Sequence, residues 1–310
     1  MMTTTNSCKI AVLIPSYDRP KILETALKSW LRLTIFDKVF LVIQGSSNDV
    51  LKQYSDMIKK FDHRIKYVII NKPVGSIKAR NILLEMASQS DCEYIIMADD
   101  DTLLPKEVQF ERVIDVFNSN NTFGIVGGRV VNIRKQKLDP DFFLNLPLNL
   151  ADILSKLTGY VFIDIKHGPR YAEFVPHFFM IKKEIINRGI RYDELLNVPT
   201  CFREESDFEL QVKNHGYKIY YYPRMYVIHL ATEYGGNRSL HNMKERAYWK
   251  SRNHTIFILK HNKSWVKRLW YLTFSTIFLS LYRISYVIWI LAGIREGIKN
   301  YYTYNCSLMK

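Results

Sequence analysis

The chain has 310 residues, 47% of them hydrophobic and 24% charged, and a formal net charge of +14. That balance excludes a disordered chain and leaves material for one large core or two modest ones. Cys8, Cys92, Cys201 and Cys306 lie far apart with no CxxC pair, which excludes a zinc pattern and a dense disulfide framework and points to a reducing compartment.

The opening MMTTTNSCK has no apolar signal core, and the IAVLI that follows is too short to export or anchor the chain, so a cytoplasmic start is expected. KIAVLIP reads as a first strand ending at Pro15, and PKILETALKSWLRL as a helix with Pro20 near its start. FDKVFLVIQG is a second strand closed by Gly45, followed by a polar segment to about Lys60, and IKYVIIN is a third strand. SIKARNILLEMASQS predicts a helix, EYIIMA a fourth strand, and TLLPKE a helix start. Near-continuous apolar strands separated by helices indicate an α/β protein whose parallel sheet is covered on both faces. Such a sheet takes its ligand beyond the carboxyl ends of the strands, where strand order reverses. The SYDR loop, residues 44–47, residues 71–80 and the acidic triplet Asp99, Asp100 and Asp101 all follow strand ends, so they are expected to line one crevice.

Three adjacent carboxylates repel one another and stay together only on a solvated face or around a cation. The triplet ends a buried strand and shares its crevice with loops carrying Arg19, Lys78 and Arg80. Carboxylates for a divalent metal beside cationic side chains suit a diphosphate ligand.

Residues 9 to about 260 resemble the inverting glycosyltransferases of family 2, with the GT-A fold. IAVLIPSYDRPKILETALKSW resembles the family's first strand and helix, PVGSIKARN its glycine loop and following helix, and MADDDTLLP its DXD strand. IVGGRV and YDELL are weaker echoes. FREESDFELQVKNHGYKIYYYP resembles the acidic catalytic segment, YVIHLATEYGGNR the later histidine and glycine loop, and YWKSRN the downstream arginine and asparagine. The resemblance implies a Rossmann-like, mostly parallel sheet in residues 1–237 and transfer of a sugar from a nucleotide sugar. It implies Asp101 as main metal ligand for Mn²⁺ or Mg²⁺, Asp99 on the metal or ribose, Asp100 behind them, and His229 either completing the metal site or serving as a structural imidazole. Pro15, Tyr17, Asp18, Arg19, Gln44, Lys78 and Arg80 would line the donor. Ile43 or Gln44 stands where the family often carries a base-binding Asp, which leaves the nucleotide open with UDP as the default. Glu205 falls on the general-base position, where Asp is commoner, and Asp207 is the fallback. Acids at that point also suit the N-terminus of a helix, whose dipole favours negative charge.

The stretch from Asn132 to Val175 matches no pattern and stands where the family builds acceptor-binding structure. His177 reads either as an acceptor contact or as part of a packed aromatic cluster with Phe178 and Phe179.

Residues 238–310 read as a basic, aromatic helical tail: 13 Lys and Arg stand against two Glu there, giving +11 of the total charge. Residues 269–294 are long enough to cross a bilayer, but Arg283 interrupts them, and Thr273, Thr276, Ser280 and Arg283 fall on one narrow helical stripe. A helix lying in the membrane interface fits better than a span, with a core or oligomer helix as the alternative. These readings converge on a transferase at the cytoplasmic side of the cell membrane, peripheral or monotopic, acting on a membrane-proximal or lipid-linked glycan acceptor in polysaccharide biosynthesis. A non-catalytic nucleotide-sugar-binding protein and a basic nucleic-acid-binding module are the rivals, and no nucleic-acid partner is expected.

Overall fold

The structure is a computed structural model that describes residues 9–61, 63–133, 153, 164–200, 202–230, 242–282 and 284–308. The first half runs β1 (Ile10–Tyr17), α1 (Pro20–Trp30), β2 (Phe36–Gln44), α2 (Asn48–Ile58), β3 (Ile65–Ile70), α3 (Ser76–Ser88), β4 (Tyr94–Met97), β5 (Thr102–Leu103), α4 (Phe110–Ser119) and β6 (Phe123–Asn132). The second half runs β7 (Arg170–Tyr171), β8 (Phe179–Lys182), α5 (Lys183–Asn187), α6 (Glu204–Asn214), β9 (Lys218–His229), α7 (Met243–His261), α8 (Trp265–Tyr282) and α9 (Val287–Leu308).

Alternation along the strands builds the layers. On β1, Ile10, Val12 and Ile14 join one apolar cluster with residues of α1, α2 and α4, while Ala11 and Leu13 join another with α3, α5 and α6. Successive side chains point to opposite faces, so an unbroken apolar strand needs a helical layer on each side. Among the described residues the strands form one nine-stranded sheet in the order β3-β2-β1-β4-β8-β6-β9-β5, with β7 beside β9. The β3-β2-β1-β4 half is parallel, whereas β8 runs antiparallel to both β4 and β6. From β1 the chain moves outward through β2 and β3, then returns to the other side of β1 as β4. The order therefore reverses between β1 and β4, whose carboxyl ends carry the SYDR loop and the acidic triplet.

Two local expectations are corrected. The polar segment after β2 is the helix α2, capped by the Ser47 hydroxyl and burying Leu51, Tyr54, Met57 and Ile58. TLLPKE does not start a helix: Thr102 and Leu103 pair antiparallel with His229 and Ile228, and α4 begins only at Phe110. The pull of a sheet neighbour outweighs local helix propensity over so short a stretch.

The C-terminal helices pack against the sheet domain. Arg252 and Asn253 of α7 donate to the carbonyls of Leu195 and Leu196 at 3.0 and 2.8 Å. Helix α9 lies close on α7 because Gly293 and Gly297 leave no Cβ to meet the carbonyls of Tyr248 and Arg252. Helix α8 turns Leu272, Ser275 and Thr276 toward α7, while Trp265, Val266, Leu269, Trp270 and Ile277 are exposed. Thr273 of the expected polar stripe is also exposed, Thr276 and Ser280 are half-buried, and Arg283 lies outside the described residues. Among the described residues no helix is long and apolar enough to cross a membrane.

Candidate active site

The crevice between the ends of β1 and β4 is knitted by short polar contacts. The Ser16 hydroxyl lies 2.7 Å from both the Tyr54 hydroxyl and Asp100 Oδ2. Arg19 Nη1 donates to Asp100 Oδ1 at 3.1 Å and to Asp101 Oδ2 at 3.0 Å. Burial, then the adjacent Asp101, pushes the Asp100 carboxyl up to about 7 against the opposing pull of Arg19. Asp100 is thus tied to protein partners behind the site. On the other side Arg80 Nη2 donates to Asp99 Oδ1 at 2.8 Å and lies 3.6 Å from Glu205 Oε1. Burial alone would raise the Asp99 carboxyl, but Arg80 and then His177 pull it below the usual range.

Arg80 owes its place to local backbone and packing. Gly75, just before α3, has φ +88°, and a side chain there would also collide with Asn197, whose amide donates to the Val74 carbonyl at 2.8 Å. Its guanidinium lies 5.6 Å from the Tyr192 ring centroid, and that ring stacks on Phe208 of α6 at 4.7 Å. Its Nε and Nη1 make no hydrogen bond among the described residues.

The β5–β9 pairing delivers the histidine. His229 Nε2 stands 3.3 Å from Asp101 Oδ2, and its Nδ1 is 2.7 Å from Asn132 Oδ1, the residue opposite it on β6. Nδ1–H donates to that amide oxygen, which fixes the ring with Nε2 turned toward Asp101, as the hydrogen-bond partners of metal-binding imidazoles orient them. His177 Nε2 is buried, has no hydrogen-bond partner among the described residues and lies 3.7 Å from Asp99 Oδ2; its ring centroid is 5.9 Å from that of His229. The reading of His177 as a member of the aromatic cluster is corrected. Phe178 and Phe179 enter the core, but His177 faces the acidic site.

The remaining expected residues divide. Gln44 is buried, with Oε1 accepting from Val74 N–H at 2.7 Å, and Asp18, at φ +53°, accepts from Ser46 N–H at 2.8 Å. Both therefore fix the loops around the crevice. Pro15 and Tyr17 are half-buried at the end of β1. Lys78 is half exposed and lies 3.5 Å from Glu194. Arg19 does not stand free for a phosphate, since it bridges two carboxylates. Asp207 is fully buried and taken by Lys260 at 2.8 Å, His261 at 2.7 Å and Gln211 at 2.8 Å. Glu205 keeps a 20% exposed side chain. Glu204 beside it is buried, and burial followed by the Glu205 charge drives its carboxyl well above the usual range. The glycine loop expected at residues 231–237, and most of the unassigned stretch, lie outside the described residues.

Ser16, Tyr54, Asn132, Tyr192 and Asn197 support the site without having been singled out. The helical spacing of Leu51, Tyr54 and Ile58 was a signal for Tyr54; the others act through contacts between distant segments.

Among the described residues no group of three or more His, Cys, Asp or Glu side chains stands ready to hold a metal ion. Asp101 and His229 form a pair, with Arg19 and Arg80 on the carboxylates. A hard divalent ion bound through one or two carboxylates takes its other ligands from water and substrate phosphate, so the pair fits such an ion.

Burial of Asp207 makes its ion pair a stability element. Burial would raise its carboxyl, but the His261 hydrogen bond and the Lys260 charge hold it below the usual range. A lowered folded pKa contributes stability above the unfolded value of about 3.9, and that contribution is lost as pH falls through the folded value. We expect Asp207→Asn to cost about 3 kcal/mol at pH 7. In thermal unfolding, the gap from wild type should close below about pH 4; a constant gap would remove this account.

The sheet's order reverses beside an acidic triplet that one arginine joins to the acidic first turn of a later helix, the layout expected of a GT-A fold. The glycosyl transferase family 2 model matches residues 11–189, and the chain belongs to that family. Solved structures bear out the fold at low identity. The S. aureus protein TarS 1–349 in complex with UDP-GlcNAc is 14% identical, with a TM-score of 0.61 over 94% of this chain and 81% of that one. The mannosyltransferase PcManGT from Pyrobaculum calidifontis, in complex with GDP-Man and Mn²⁺, is 13% identical, with a TM-score of 0.58 over 93% and 86% of the two chains. No curated protein matches the sequence.

Proposed function

We propose that the chain is a metal-dependent, inverting transferase that moves a sugar from a nucleoside-diphosphate donor to a membrane-proximal or lipid-linked glycan. The carrying observation is Arg80, 2.8 Å from Asp99 and 3.6 Å from Glu205, because it makes the triplet and the start of α6 border one space. Asp101 and His229 would hold the ion, with Asp99 beside them. Bound there, a divalent metal supplies positive charge to the departing diphosphate. Arg80 adds a fixed cation between donor side and base side. Glu205 takes the proton of the attacking acceptor hydroxyl. Attack from the face opposite the leaving group inverts the anomeric carbon. Asp207 has no part in this step, since its oxygens are already bound.

The test is a thermal-shift screen of UDP-sugars and GDP-sugars with and without Mn²⁺. One donor should raise the Tm only with the metal, since a ligand at 100 times its Kd stabilises the native state by about 2.7 kcal/mol. No shift from any donor with Mn²⁺ would overturn the reading.

The tail is read as resting on the cytoplasmic face of the membrane. Support comes from exposed Trp265, Trp270, Ile284 and Ile288 next to exposed Lys263, Lys267, Arg295 and Lys299. Apolar and indole groups enter the interface while basic groups meet anionic headgroups. The full chain should float with vesicles containing phosphatidylserine and much less with phosphatidylcholine alone, and Trp270→Ser with Ile288→Ser should weaken flotation. Unchanged sedimentation with a dimer in light scattering would assign this face to a second copy instead.

A further inference from the structure

Arg203, immediately before the acidic turn, holds a conformation that needs a reason. Its φ of +71° lies in the left-handed region, which costs a residue other than glycine about 1 kcal/mol or more. Its carbonyl accepts Asp207 N–H at 2.8 Å, so this backbone sets the direction in which α6 leaves the loop and presents Glu205. The side chain is buried, with its guanidinium 4.1 Å from the Phe257 ring centroid and 5.4 Å from that of Phe174. Nη1 donates to Ser206 Oγ at 3.3 Å, and Nε donates to His254 Nδ1 at 3.2 Å.

That last bond fixes the imidazole. Arginine only donates, so Nδ1 must accept, and the proton of neutral His254 sits on Nε2. Burial and the Arg203 charge hold this imidazole well below its usual range, which agrees. Nε2–H then donates to Ser275 Oγ at 2.7 Å, and the Ser275 hydroxyl donates to the Tyr271 carbonyl at 2.6 Å. The polarity runs one way, from the start of α6 through α7 to α8. A buried cation is costly, and apolar residues commonly fill such space at equal or better stability. The network therefore specifies a geometry.

We propose that Arg203 is a positioning residue for Glu205, and that His254 and Ser275 of the C-terminal helices hold it there. The α7–α8 pair is thus part of the active-site support as well as the tail. The inference rests on Glu205 being the base. A carboxylate displaced by about 1 Å can cost about 100-fold in rate without loss of substrate binding.

The experiment uses the full chain and measures turnover of the donor found by thermal shift, with donor KM and Tm for each variant. His254→Leu is expected to lower kcat 10- to 100-fold with donor KM within twofold of wild type. His254→Gln, which keeps one acceptor and one donor, should recover most of kcat. Ser275→Ala, a small change that the fold tolerates, should lower kcat several-fold. Arg203→Gly should fall as far as His254→Leu, although glycine suits the backbone conformation, because the guanidinium is gone. Wild-type kcat in Ser275→Ala and His254→Leu, or equal losses of kcat and donor affinity, would overturn the proposal. Glu205→Gln measured alongside separates the two failures: if it retains full turnover the base assignment falls, and if it is dead while the relay variants are normal only the positioning role falls.

Discussion

Glu205→Gln is expected to bind donor and metal as wild type does while turnover falls by about 10³-fold. The amide keeps the volume of the side chain and its place beside Arg80 but cannot take a proton at neutral pH. A positioned general base is worth about 10²- to 10⁴-fold, so its loss should appear almost wholly in kcat. Single-turnover measurements with saturating donor, together with the donor-induced Tm shift, separate the two quantities. Asp207→Asn is the control two residues away, and it should lose stability while each folded molecule retains its rate. Near-normal turnover by Glu205→Gln would mean that the proton leaves by another route.

Asp101→Asn should abolish metal-dependent donor binding. Asp101 Oδ2 is the oxygen shared by Arg19 and His229, at 3.0 and 3.3 Å, so it stands where an ion could replace the cationic side chain. Charge stabilisation at a leaving phosphate is worth several kcal/mol, and each 1.36 kcal/mol is tenfold in rate, so a loss of about 10³-fold or more in kcat/KM is expected. The isosteric amide limits damage to the ligand-free fold, because Arg19 keeps Asp100 at 3.1 Å. The Tm without ligands should therefore move little, while the Mn²⁺-dependent rise with donor disappears. A rise of wild-type size in this variant would take the metal away from the triplet.

Much of the architecture was legible because strand and helix periods differ. The apolar runs at Ile10–Ile14 and Val39–Ile43 have no polar face, so they had to lie between two helical layers. The loops after them had to gather at one edge. Helix α2 was obscured because its polar residues outnumber the four that it buries, and β5 because two residues carry almost no pattern. The site was legible as a set of loops but less so as a set of contacts. Arg19 was expected at a phosphate and is spent on Asp100 and Asp101. His177 was weighed with the phenylalanines that follow it, yet it precedes β8, whose first residue is Phe179, and its ring lies beside His229 and Asp99 instead of in either core cluster.

Which segments meet is written in the chain: periodicity and strand-end loops bring Asp99, Asp100 and Asp101 to the same edge as Arg80, and the ordered motifs mark the family. Which member of each acidic or basic group faces the crevice depends on the folded molecule. Residues two apart on a helix point about 200° apart. Glu205 and Asp207, like Arg80 and Lys78, could not both serve one site. The choice fell to packing: Lys260 and His261 arrive from α7 to neutralise Asp207, and Tyr192 shelters Arg80. Those partners lie far along the chain, and no local pattern announces them.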